Sequence, residues 1–129
     1  MTLTYLDTSA AMKLLVREAE LDALLSVLRA EQSGDVVASW LLHTELHFAA
    51  GRRPEVIDRH LVEQVLDRVT LVDLTRGDLM SAVVHAPLRS QGAIHLTVAL
   101  RLGVERVLTY DVELARAAAL AGLRAVSPR

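Results

Sequence analysis

Short β-compatible runs alternate along the whole chain with helix-length segments, and this alternation limits the possible fold more than any other feature. The candidate strands are Leu3-Thr4-Tyr5-Leu6, Val36-Val37-Ala38, Thr70-Leu71-Val72, Arg106 to Thr109 and Arg124 to Val126. Between them lie segments with helical periodicity or helix-capping residues. Ala10 to Leu15 is the first. A second runs from about Ala19 to Gln32, with Leu21, Leu24, Leu25 and Leu28 on one stripe and Gly34 as its stop. Ser39 is placed to cap a third, which reaches about Arg52, and Pro54 suits the first turn of a fourth carrying Val56, Ile57, Leu61, Val65 and Leu66. Thr75 with Asp78 forms a capping box for a helix that ends before Pro87. Ala93 to Leu102 is apolar nearly all round, as a helix buried mid-domain is, and Gly103 ends it. Asp111 to Ala121 is the last, stopped by Gly122. Strands separated by helices pair in parallel through crossover connections, so an α/β fold with a small, mostly parallel sheet of four to five strands is expected.

A length of 129 residues without repeat or linker fits a single domain spanning 1–129. Aromatics are only 3% of a chain that is 52% hydrophobic, so the core must be built from Leu, Val and Ala. The absence of cysteine excludes disulfides and thiolate metal sites. Without a basic-then-apolar opening or a long apolar run, the expectation is a cytoplasmic protein with no membrane association. The formal net charge of −2 is not a nucleic-acid footprint. Binding to a polyanion would need metal ions and local clusters of Arg and Lys.

In open parallel sheets, ligands bind at the carboxyl ends of the strands where crossovers diverge. Asp7 follows the first predicted strand and Asp111 the fourth, and each is equally well placed to cap the helix after it. Glu45 tips the balance. It falls on the stripe of Leu41, Leu42, Phe48 and Ala49, where a carboxylate is costly unless paired, protonated or bound to a cation. A cluster of carboxylates suits hard divalent cations such as Mg²⁺ or Mn²⁺. Such an ion activates water and neutralises charge on a phosphodiester in the transition state.

These acids stand within recognisable motifs. Tyr5-Leu6-Asp7-Thr8-Ser9-Ala10 resembles the opening of PIN-domain toxins of VapBC toxin–antitoxin pairs. His43-Thr44-Glu45-Leu46 resembles their second acid motif, Ala93-Ile94-His95-Leu96 their third, and Leu108-Thr109-Tyr110-Asp111 with Leu114-Ala115 their last. The resemblance spans the chain in order. It implies a three-layer fold and metal-dependent endonucleolytic cleavage of RNA, with Asp7, Glu45 and Asp111 as catalytic metal ligands. It further implies restraint by a VapB-type antitoxin, a homodimer, and a higher hetero-oligomer with the antitoxin. The family usually carries an Asp directly before the Ala-Ile-His stretch; here that position is Gly92. Gly in the first turn of a helix costs roughly 1 kcal/mol relative to Ala, where Asp would suit the helix dipole. Metal affinity and cleavage are expected to fall, with water replacing the missing oxygen; Gln91 points about 100° away and is a poor substitute.

Thr8, Ser9 and Thr109 could orient acids or phosphate, or serve only as cap and strand residues. His95 should face the same way as Gly92, either near the acids or as a satisfied core histidine. Glu113 could reach a metal through water, but reads better as a first-turn helix acid. Lys13, Arg17, Arg52, Arg53 and Arg89 are candidate contacts for RNA phosphates or antitoxin acids. His43 and His47 have zinc-pair spacing, yet no third ligand can be named, and a solvent-facing or interface pair fits better. The alternative to a weakened nuclease is a silent PIN-fold protein that binds antitoxin, and RNA, without cutting. A phosphatase using Asp7 as nucleophile would need a second Asp where Ser9 stands, and no Gly-rich turn follows the first strand to hold a dinucleotide.

Overall fold

A computed structural model describes residues 2–16 and 19–129. Strands β1 (Thr4–Leu6), β2 (Val36–Ser39), β3 (Thr70–Val72), β4 (Arg106–Leu108) and β5 (Arg124–Val126) form one sheet in the order β3-β2-β1-β4-β5. Every neighbouring pair is parallel, so the sheet takes the upper end of the expected strand count and has no antiparallel member. The helices described are α1 (Thr8–Leu15), α2 (Leu21–Arg29), α3 (Leu41–Arg52), α4 (Arg59–Asp67), α5 (Arg76–Ala82), α6 (Ser90–Leu102) and α7 (Val112–Leu120), with a 3-10 turn at Val83–His85.

Helices α1 to α4 pack among themselves, and so do α5 to α7. Right-handed crossovers explain the grouping. The chain steps from β1 through β2 to β3 in one direction, then returns past β1 to β4 and β5, which sends the second group of helices to the opposite face. The result is three layers with the direction of winding reversed between β1 and β4.

The core is aliphatic: Leu6, Leu24, Leu42, Leu46, Val62, Leu96, Val98, Leu108 and Leu114 are buried from both layers. Helix α6 is buried along most of its length, as its all-round apolar character requires, and Gly103 closes it in the left-handed region at φ 67°. At the amino edge, Arg106 joins Glu31 and the Thr4 hydroxyl, tying β4 and β1 to the segment after α2.

Four expectations need correction. Pro54 does not open α4: the helix starts at Arg59, with the Asp58 side chain accepting from the His60 N–H at 2.8 Å. Ile57 is buried without being helical, so its place in an apolar pattern reflected packing and not periodicity. On α3 the core stripe is Leu42, Leu46 and Ala50, whereas Phe48 is 60% exposed. Glu45 therefore borders the core instead of lying in the middle of its stripe. Ser39 acts one residue earlier than a true cap, accepting from the Leu41 N–H while Trp40 holds the cap position. Helix α2 is shorter than its pattern at both ends.

Candidate active site

The register sets the geometry of the carboxyl edge. Leu6 pairs with Leu108, so Asp7 and Thr109 are the next residues out on adjacent strands, and the Asp7 N–H still donates to the Leu108 carbonyl. Asp7 is the N-cap of α1, but its bond to the Ser9 N–H is long at 3.3 Å. Two hydroxyls hold it more firmly: Ser9 Oγ donates at 2.7 Å and Thr109 Oγ1 at 2.8 Å, both to Oδ2. Ser9 Oγ in turn accepts from the Tyr110 N–H, and Thr109 Oγ1 from the Asp111 N–H. Asp7 is thus joined to Asp111 through one threonine hydroxyl. Asp111 caps α7, taking the N–H groups of Glu113 and Leu114 on Oδ1 at 2.9 and 3.2 Å.

Glu45 reaches the same edge from α3. Its Oε1 accepts from Thr8 Oγ1 at 2.7 Å and lies 2.7 Å from His95 Nε2 on α6. Behind the imidazole, Nδ1 is 2.6 Å from the Tyr5 hydroxyl, which accepts from the Ser39 N–H. Burial alone pushes the Glu45 carboxyl up, but the His95 ring N–H and then the Thr8 hydroxyl outweigh it and hold the group below the ordinary range. Burial pushes the Tyr5 phenol well up, so it stays protonated and can donate.

One regularity runs through the three acids. Among the described residues, the bonds that hold each carboxylate fall on a single oxygen: Oδ2 of Asp7, Oε1 of Glu45 and Oδ1 of Asp111. Among the described residues the second oxygen of each takes no protein hydrogen bond. As posed, no three His, Asp or Glu side chains among the described residues stand close enough to hold one ion as a ready-made cage. The donor set still fits Mg²⁺, which dehydrates reluctantly and takes one or two carboxylates while keeping several waters. Two cavities, of about 610 and 400 Å³, are lined by residues of α5, α6, α7 and the segment from the 3-10 turn to Leu88, and contain none of the three acids.

Residues 4–120 match the PIN domain family. The chain belongs to that family. Its similarity to Ribonuclease VapC46 of Mycobacterium tuberculosis (strain ATCC 25618 / H37Rv) is 37% identity over 132 residues, covering 99% of each chain, and it marks this PIN domain as one of the VapC type. Two solved structures share the fold. One is Mycobacterium tuberculosis VapC20, titled a sarcin–ricin loop cleaving toxin, with a TM-score of 0.73 at 18% identity over 97% of this chain and 99% of that one. The other is a toxin–antitoxin complex from Klebsiella pneumoniae, with a TM-score of 0.72 at 16% identity over 98% of each.

The remaining candidates in this PIN domain separate cleanly. Gly92 is the third residue of α6, one turn before His95 on the same side, and a Cβ built there meets nothing within 4 Å. Thr8, Ser9, Thr109 and His95 all hold acids. His95 is also a satisfied core histidine, 1% exposed, so the two readings of it coincide. Glu113 points outward and pairs with Arg116 at 3.8 Å, as a first-turn acid does. Lys13 pairs with Glu20 at 3.5 Å and lies over the Tyr110 ring. Arg52 lies over exposed Phe48, and Arg53 and Arg89 are exposed, Arg89 at the cap of α6 three residues from Gly92. Arg17 falls outside the described residues. His47 bonds Glu63 of α4 at 3.0 Å, and its ring meets that of His43 at a tilt, while His43 meets Trp40 edge-on, so His47 serves the packing of α3 on α4. Sequence reasoning missed Tyr5: a strand tyrosine three residues from the chain's second residue carried no signal of its hydroxyl's role. Among the described residues no helix is long and apolar enough to cross a membrane.

Proposed function

We propose that this single PIN domain is the toxin of a toxin–antitoxin pair, an endoribonuclease that cleaves RNA phosphodiesters with Mg²⁺ or Mn²⁺ bound at Asp7, Glu45 and Asp111. The observation that carries the reading is the shared anchoring of these acids, each with one oxygen fixed by protein donors and the other turned free at a sheet's carboxyl edge. Similarity to a chain named ribonuclease, over nearly its full length, supports the substrate class. When bound, the ion supplies an activated water and neutralises charge on the scissile phosphate. The chain's own part is positional. Ser9 and Thr109 orient Asp7, Thr8 and His95 orient Glu45, and the α7 amides orient Asp111. Arg89, exposed at the cap of α6, is the candidate to meet a flanking phosphate, which matters in a chain with a net charge of −2.

Gly92 weakens the site in this reading by removing one oxygen from beside Glu45. RNA cleavage with Mn²⁺, followed across native, Asp7→Asn and Gly92→Asp chains, tests both statements. Asp7→Asn should abolish cleavage, and Gly92→Asp should raise it by at least about tenfold, the scale expected for a restored group near a metal. Intact cleavage in Asp7→Asn would remove the assignment. The absence of a ready-made three-ligand cage favours a second reading, a silent protein that binds its antitoxin and cuts nothing. Failure of the Gly92→Asp chain to cleave or to bind Mn²⁺ would select it.

The toxin–antitoxin complex from Klebsiella supports an antitoxin as partner in a hetero-oligomer, and the VapC type of this chain supports one of the VapB kind. A homodimer is supported by an apolar surface on the opposite helical layer: Leu79, Met80, Val83, Val84 and Leu120 are each about half to four-fifths exposed. Val84 and Leu120 line the same cavity, so the 3-10 turn after α5 and helix α7 contribute to one patch.

A further inference from the structure

The hydroxyl and imidazole behind Glu45 carry more than packing. Tyr5 is fully buried and His95 nearly so, and they link the β2 backbone through β1 and α6 to the acid of α3. Counting protons along this path leaves one arrangement. The Ser39 amide can only donate, so the Tyr5 oxygen accepts from it. The Tyr5 proton must then find an acceptor, and His95 Nδ1 at 2.6 Å is the one in reach. With Nδ1 accepting, the ring proton sits on Nε2 and points at Glu45 Oε1. Thr8 gives its own proton to the same oxygen and takes the second, longer share of the Nε2–H at 3.0 Å. A proton on both ring nitrogens would instead strand the Tyr5 O–H without an acceptor in a fully buried place, which is unfavourable.

Every donor in the path therefore runs one way, from the Ser39 amide to one oxygen of Glu45. That leaves the acid ionised, in one rotamer, with Oε2 directed away from its protein donors. We infer that Tyr5 and His95 form a positioning relay that fixes Glu45 for cation binding. The inference rests on the proposed metal site and adds to it two residues that touch neither ion nor substrate. Its weight in this chain comes from Gly92. Gly92, one turn before His95 on the same helix, brings no carboxylate, so in the proposed site more of the binding falls on Glu45 and on how rigidly it is held.

Calorimetric titration of Mn²⁺ into the full chain tests this, with melting curves as the control for folding. Tyr5→Phe removes only the hydroxyl, His95→Leu removes both ring nitrogens, and His95→Gln returns a single N–H toward Glu45. His95→Leu should weaken Mn²⁺ binding about 10- to 100-fold, the usual effect of deleting a partner of a metal ligand. Tyr5→Phe should weaken it about three- to tenfold, as one lost hydrogen bond does. His95→Gln should recover to within about threefold of native. Packing alone predicts the reverse order, because Leu fills an apolar space better than Gln. In RNA cleavage the same variants should lower kcat and leave KM unchanged, since the relay does not contact substrate. A folded His95→Leu chain that binds Mn²⁺ like the native one overturns the relay while leaving the metal site standing. If that variant does not fold, native-like affinity in Tyr5→Phe overturns it equally. No Mn²⁺ binding by the native chain overturns the relay and the metal reading together.

Discussion

At the scale of single residues, the proposed site gives the acids two jobs at once. Asp7 and Asp111 cap helices, yet each spends only one oxygen on that or on neighbouring hydroxyls. Because the second oxygen is spare, Asp7→Asn should leave the fold intact: Asn accepts hydrogen bonds almost as well and caps as well as Asp. Its melting temperature should stay within a few degrees of native, while cleavage falls by at least about 10²-fold, the scale of losing one preorganised electrostatic group. A melting curve beside a cleavage time course checks the pair, and a large loss of stability with intact activity would contradict it. The strand-end positions of Asp7 and Asp111 were legible in the sequence because a cap is a local event. The His95 contact of Glu45 was not, since it joins residues fifty apart across two helical layers.

At the scale of elements, α5 and α6 offer the clearest tests. Asp78 closes the capping box of α5 with Thr75 and also receives Arg101 of α6 at 2.8 and 2.9 Å. The Arg101 guanidinium, then Thr75, hold the Asp78 carboxyl below its ordinary range despite its burial. A carboxyl whose folded pKa is depressed contributes stability that is fully present above its unfolded pKa, about 4, and is lost as pH falls through the lower folded value. Asp78→Asn should therefore cost about 1–3 kcal/mol at neutral pH. The gap to native should close below about pH 4, as denaturant melts across pH would show. A gap that persists unchanged in acid would mean that the charge on Asp78 is irrelevant. Gly92→Asp in the first turn of α6 should leave metal-free stability within about 1 kcal/mol, helix propensity and dipole offsetting the nearby Glu45 charge. Added Mn²⁺ should then raise its melting temperature more than that of the native chain. The capping box of α5 was plain in the sequence. The start of α4 was not, because buried Ile57 mimics a helical stripe from within a turn.

At the scale of the whole molecule, the sheet order β3-β2-β1-β4-β5 brings Asp7 and Asp111 to adjacent strand ends and turns the exposed apolar side chains of α5 and α7 to the other layer. If that surface joins two copies, Val84→Glu should shift the chain from dimer to monomer in sedimentation or light scattering, and leave its circular dichroism unchanged. Val84 is 75% exposed, so nothing within one chain depends on it. A variant that remains dimeric would place the contact elsewhere. The sequence by itself determined the element types, their alternation, the parallel pairing that follows, and which acids end strands, because capping and periodicity are set within one or two turns of chain. Only the tertiary structure decided that Phe48 faces solvent, that Glu45 is held by His95 and Tyr5, and that the sheet reverses its winding between β1 and β4. Those outcomes depend on which distant segments meet, and residues far apart in sequence carry no local mark of the partner that burial will give them.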